Sequence, residues 1–131
     1  TLGEALLTPT RIYVRPLLAA LSAHPGAIHA LAHITGGGLP ENLPRVLPDG
    51  LAARVESERW QAPPVFDWIR ESGRIEAAEM FRTFNCGIGM VVAVAPHQAD
   101  AVAATLREAG ETVTAIGELT AAGDGPRVAI T

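Results

Sequence analysis

The chain has 131 residues, 48% of them hydrophobic and 18% charged, with a formal net charge of −4; this suits one domain with a buried core and argues for a globular rather than a disordered chain. All 10 basic residues are arginine, so neither a Walker-type lysine nor a Schiff-base lysine is present. An acidic chain without a basic cluster is also a poor nucleic-acid partner.

In chain order, Tyr13 to Ala23 sets Val14, Leu17, Leu18 and Leu21 at helical spacing. Pro16 is tolerated if the helix begins near Tyr13, which puts the proline in the first turn. His24-Pro25-Gly26 breaks it, and Ala27 to Thr35 then alternates as a strand, with His29, Leu31, His33 and Thr35 on one face. A short helix is predicted over Pro40 to Val46 and a strand over Leu51 to Glu56. Pro63 to Ser72 reads as a helix with Val65, Trp68 and Ile69 inward and Gly73 as its stop. A second short helix is expected over Ile75 to Phe81. Ile88 to Ala95 is apolar on both faces and predicts a central strand covered on both sides. Pro96 opens an amphipathic helix with Ala99, Val102, Ala103 and Leu106 on one face and Gly110 at its end. Thr112 to Leu119 predicts a strand, and a glycine-rich turn leads to a last strand, Arg127 to Ile130. These elements make an α+β domain, a mixed β-sheet with flanking helices.

The longest apolar run, Ile88 to Pro96, covers about 9 residues against the ~20 of a membrane-spanning helix. No membrane span and no secretory-signal pattern are expected. The single cysteine, Cys86, has no internal disulfide partner, and a reducing cytoplasm is the simple reading.

Several residues carry candidate chemistry. A strand entering Thr35-Gly36-Gly37-Gly38 and opening a helix presents bare backbone N–H groups that suit an anion, with Arg45 nearby. The same glycines equally fit a turn that requires left-handed backbone. His29 and His33 form H-x-x-x-H, but on a strand they stand roughly 13 Å apart, too far for one metal, so no metal site is expected. His33 alone, beside the glycine loop, fits a proton shuttle or hydrogen-bond donor, or a strand-end histidine bonded to backbone. Glu79 and Arg82 at i, i+3 fit a surface ion pair, or an arginine that orients a polar substrate together with Asn85. Cys86 reads as a small buried residue rather than a nucleophile. Trp60 and Trp68 are candidate core or interface anchors.

Two long motifs are more specific. The first is His33-Ile34-Thr35-Gly36-Gly37-Gly38, followed by Glu41-Asn42-Leu43-Pro44-Arg45. The second is Glu79-Met80-Phe81-Arg82-Thr83-Phe84-Asn85-Cys86-Gly87-Ile88-Gly89-Met90. Read with the opening Leu7-Thr8-Pro9-Thr10-Arg11-Ile12-Tyr13-Val14, they resemble the C-terminal half of the aminoimidazole ribonucleotide synthetase (phosphoribosylformylglycinamidine cyclo-ligase) family of purine biosynthesis. The resemblance implies that residues 1–131 are a single C-terminal domain, without the ATP-binding N-terminal domain and without the opening strand and loop of their own domain. It implies ATP-driven closure of formylglycinamidine ribonucleotide to aminoimidazole ribonucleotide, with ATP and Mg2+ held mainly by the N-terminal domain, in a cytoplasmic homodimer. Thr35, Gly36, Gly37, Gly38, Asn42, Arg45, Arg82 and Asn85 would then face the substrate and its phosphates, with His33 as a candidate catalytic group. The alternatives are a free-standing phosphometabolite-binding module and a domain of a related ligase or kinase of the same superfamily.

Overall fold

The order of elements follows from where proline and glycine permit a helix or a turn. The computed structural model describes all 131 residues. A short helix α1 (Leu2–Leu6), which the sequence pattern does not announce, precedes α2 (Val14–Ala23). Tyr13 is the N-cap of α2, and Pro16 falls in its first turn, where a missing N–H costs no helical bond. Gly26, at φ +78°, turns the chain into β1 (Ile28–His33). Then follow α3 (Gly38–Asn42), continued by one 3-10 turn, and β2 (Leu51–Val55). Helices α4 (Pro64–Gly73) and α5 (Ala77–Thr83) lead to β3 (Met90–Val94). Helix α6 (Ala99–Glu108) and strands β4 (Gly117–Ala121) and β5 (Val128–Ile130) complete the chain.

The α+β class holds, but the strands divide between two sheets. β1 pairs antiparallel with β3, with His33 opposite Met90. The other sheet has the order β4-β2-β5, antiparallel on one side of β2 and parallel on the other. The apolar run that becomes β3 is therefore one strand of a two-stranded ribbon. It is half-buried along its whole length, where a strand covered on both sides was expected. The expected strand over Thr112 to Leu119 begins only at Gly117, whose Cα lies so close to Arg54 that a side chain would strike the Arg54 carbonyl.

Two apolar clusters hold these layers together. Ala32, Ile34, Leu39, Leu43, Leu47, Ala53, Val55 and Val128 join the end of β1, helix α3 and the three-stranded sheet. Ala20, Ala27, Val102 and Leu106 join α2 to α6. The buried face of α2 is thus Pro16 and Ala20, with Leu17 packed beside them; of the expected helical stripe, Val14, Leu18 and Leu21 lie exposed. Helix α2 meets α6 over Ala20 and Leu17, and Leu18 and Leu21 are turned away. Trp68 departs from expectation in the same way, 47% exposed on α4, whereas Trp60 packs on the larger cluster. At the end of α4 the left-handed position is Arg74 (φ 50°) rather than Gly73.

Candidate functional site

The loop between β1 and α3 is fixed from beneath before it offers anything to a ligand. His33 closes β1, and the next N–H, of Ile34, donates to the Gly89 carbonyl at 2.9 Å. Ile34 and Leu39, each 1% exposed, root the two ends of the loop in the core. Between them Thr35 and Gly36 are exposed and Gly37 is half-buried.

The glycines have different duties. Gly38 has φ +55°, and a Cβ there would collide with the carbonyl oxygens of Phe81 and Phe84. Its absent side chain is what lets α3 start against the end of α5. Gly37 has φ +91° and caps α3 in the left-handed region; the Glu41 side chain folds back to where its Cβ would stand. Gly36 is unconstrained in both respects, with nothing within 4 Å of an added Cβ.

Asn42 staples the loop. It is 4% exposed, and its Nδ2 lies 2.8 Å from the Gly38 carbonyl, 3.3 Å from that of Gly36 and 3.4 Å from that of Thr35. Its Oδ1 accepts from Arg45 Nη1 at 3.2 Å, which tethers the guanidinium to the loop. Asn42 was expected to face a ligand; the structure turns it inward instead, its amide spent on three carbonyls. With those carbonyls tied down, the N–H groups of Thr35, Gly36 and Gly37 donate to no acceptor in the chain. Three successive free donors on a braced loop, with one arginine beside them, form a donor set of the kind that takes an anionic oxygen. The Glu41 carboxylate lies beside Gly37 and opposes an incoming anion.

Arg82 and Asn85 belong to the neighbouring element. Arg82 is well exposed, and its Nε sits 3.8 Å from Glu79 Oε2. An exposed pair at that distance contributes little, on the order of 0–1 kcal/mol. Asn85 Oδ1 accepts from the Gly87 N–H at 3.0 Å and so shapes the turn into β3, in which Cys86 (φ 47°) and Gly87 (φ 96°) both take left-handed backbone. No hydrogen bond or ion pair joins Arg82 or Asn85 to Thr35–Gly38; the two groups meet through the backbone contact at Gly38. Cys86 is buried, with its carbonyl accepting from the Trp60 indole at 3.0 Å, and burial pushes its thiol pKa up, so the sulfur stays protonated at neutral pH.

His33 is exposed at the foot of the loop, and the Tyr13 ring stands edge-on to it with centroids 6.2 Å apart. Sequence reasoning passed over Tyr13, whose one visible signal was its place as the first residue of a helix. His29 lies on the same strand four residues earlier, and no group of three His, Cys, Asp or Glu side chains assembles anywhere in the chain. Two cavities lie elsewhere. One of about 110 Å³ is bordered by Glu56, Arg59 and Glu118, and one of about 100 Å³, under α4 and α5, is lined by Trp60, Phe66, Met80 and Phe81. Neither borders the glycine loop.

Comparison with known proteins adds to this geometry. The family model for "AIR synthase related protein, C-terminal domain" matches residues 1–129. Phosphoribosylformylglycinamidine cyclo-ligase of Bordetella petrii is 56% identical over 124 residues, which cover 95% of this chain and 36% of that protein. The chain thus spans about a third of the length of this curated relative. A match over almost every residue, glycine loop included, settles the family: the chain belongs to the AIR synthase related proteins, as their C-terminal domain.

Proposed function

We propose that this chain is the C-terminal domain of an enzyme that uses ATP to close formylglycinamidine ribonucleotide to aminoimidazole ribonucleotide, releasing ADP and phosphate. The observation that carries the reading is the braced loop, in which Asn42 ties the carbonyls and the N–H groups of Thr35, Gly36 and Gly37 remain free. The relative's name supports it, since a phosphoribosyl substrate brings a phosphate that such a loop suits.

In this reading Thr35, Gly36 and Gly37 hold phosphate oxygens through N–H donors and the threonine hydroxyl. Arg45, pinned by Asn42, balances their charge. Gly38 sets the loop against α5, so that Arg82 and Asn85 approach the same ligand from the neighbouring element, with His33 as hydrogen-bond donor or proton shuttle at the loop's foot. The reaction passes the γ-phosphoryl of ATP to the formamide oxygen. The amidine nitrogen then attacks that carbon, the C–O bond breaks and inorganic phosphate leaves. Such chemistry depends on positioning and on stabilising charge at the transferring phosphoryl oxygens, and no protein nucleophile is required.

The chain's free N–H donors and Arg45 fit phosphate. In this reading Mg2+ and most of the ATP contacts belong to an N-terminal domain carried by the rest of the protein. A homodimer and a cytoplasmic location belong to the same proposal; no helix here is long and apolar enough to cross a membrane. Complementation tests the reading. The full-length gene should restore purine-independent growth to a host lacking its cyclo-ligase, and the same gene with Gly38→Ala and Arg45→Ala together should not. Failure of the unmodified gene, expressed and folded, would contradict it.

A further inference from the structure

We propose that Tyr13 is a ligand-binding residue of this site, its phenol hydroxyl donating to a polar oxygen of the phosphorylated substrate held between His33 and the glycine loop. The inference deepens the reading above and rests on it.

The first observation is how firmly Tyr13 is placed. It is the N-cap of the ten-residue helix α2, and its carbonyl accepts from the Leu17 N–H at 3.1 Å. Two residues earlier, Arg11 donates to the Gly110 carbonyl at 2.5 Å and pairs with Glu111 at 2.7 Å, which fastens the segment to the end of α6. The second observation is where the ring ends. The hydroxyl oxygen lies where a Cβ on Gly89 would stand, so residue 89 must lack a side chain for the phenol to reach this place. Gly89 is also the residue whose carbonyl holds Ile34 at the root of the loop. Tyr13 thus comes to the foot of the loop at the same point as His33, ring edge to ring face at 6.2 Å.

The third observation is what the hydroxyl does there. It makes no hydrogen bond to any group of the protein, and it is open to solvent at the end of a half-buried ring, where a ligand can reach it. A phenol without a protein partner, on a backbone fixed at a helix N-cap, has a donor to give at a reduced ordering cost. Burial raises its pKa, the Glu111 carboxylate adds to the rise and Arg11 offsets part of it. The group therefore stays neutral and protonated at neutral pH, in the state that donates to an anionic or carbonyl oxygen.

The test is steady-state kinetics of the full-length enzyme with Tyr13→Phe, which removes one oxygen and keeps the ring that packs on Gly89 and His33. A lost hydrogen bond to a charged oxygen should lower kcat/KM for formylglycinamidine ribonucleotide by about tenfold or more, with KM for ATP and the melting temperature unchanged. Tyr13→Leu, which also removes the edge contact with His33, should lower it further. A Tyr13→Phe enzyme within twofold of its parent in kcat/KM overturns the inference and leaves the functional reading intact. A parent enzyme that does not turn over this substrate overturns both. A melting temperature that falls along with kcat/KM assigns the residue to packing and also overturns the inference.

Discussion

Alanine substitution along the three loop glycines should separate the ones that build the loop from the one that is free to serve a ligand. Gly38→Ala places an L residue at φ +55° and drives its Cβ into the backbone carbonyls of Phe81 and Phe84, which have no rotamer to yield. Left-handed backbone costs an alanine roughly 1–2 kcal/mol, and forcing packed elements apart adds roughly 1–3 kcal/mol. The sum is about 2–5 kcal/mol. Gly37→Ala meets the same backbone penalty at φ +91°, but its steric neighbour is the flexible Glu41 side chain, so the loss should stay near ~1–2 kcal/mol. Gly36→Ala meets nothing within 4 Å and has no positive φ to satisfy, so it should be neutral or stabilise by a few tenths of a kcal/mol. In thermal unfolding at about 3 °C per kcal/mol, Gly38→Ala should melt at least ~6 °C below the parent and Gly36→Ala within ~2 °C of it. Equal melting temperatures for these two variants would refute the assignment of Gly38 to packing.

Asn42→Ala removes a buried amide from three carbonyls, of which that of Thr35 keeps the Gly38 N–H, so it should cost about 1–3 kcal/mol in denaturant unfolding; a loss under ~0.5 kcal/mol would show that the staple is dispensable. Arg82→Ala gives up only an exposed 3.8 Å pair, so the melting temperature should hold while kcat/KM of the full-length enzyme falls; an unchanged rate would leave Arg82 as the surface partner of Glu79. A protein of these 131 residues should self-associate in light scattering as concentration rises. The β1–β3 ribbon has two unpaired outer edges, and Leu6, Leu7, Ile12, Val14, Leu18 and Leu21 are exposed. A monodisperse monomer over a wide concentration range would contradict that.

The elements legible in the sequence were those whose limits are set by local chemistry. Pro16 and Tyr13 placed the start of α2, Pro96 and Gly110 bracketed α6, and alternation marked β1. The misreadings share a cause: periodicity shows that a face is apolar, and not what covers it. Val14, Leu17, Leu18 and Leu21 formed a good helical stripe, yet the contact of α2 with α6 runs over Ala20 and, of those four, Leu17 alone. β3 was apolar on both faces but has one strand partner. At the site, the motif located the loop, while the division of labour within it depended on tertiary contacts. Asn42 lies within an expected binding motif and is consumed by carbonyls up to seven residues earlier. Tyr13 reaches His33 from 20 residues away in sequence by way of a glycine whose role only the fold reveals.

The most direct measurement is of the purified full-length protein with formylglycinamidine ribonucleotide and ATP, following aminoimidazole ribonucleotide, ADP and phosphate together. The account predicts that the three products appear in equal amounts, that none forms without ATP, and that Arg45→Ala lowers the rate at least tenfold while the protein stays folded. ATP hydrolysis without ring closure, or full ring closure by Arg45→Ala, would contradict the claim that the braced glycine loop and its arginine hold the reacting ligand.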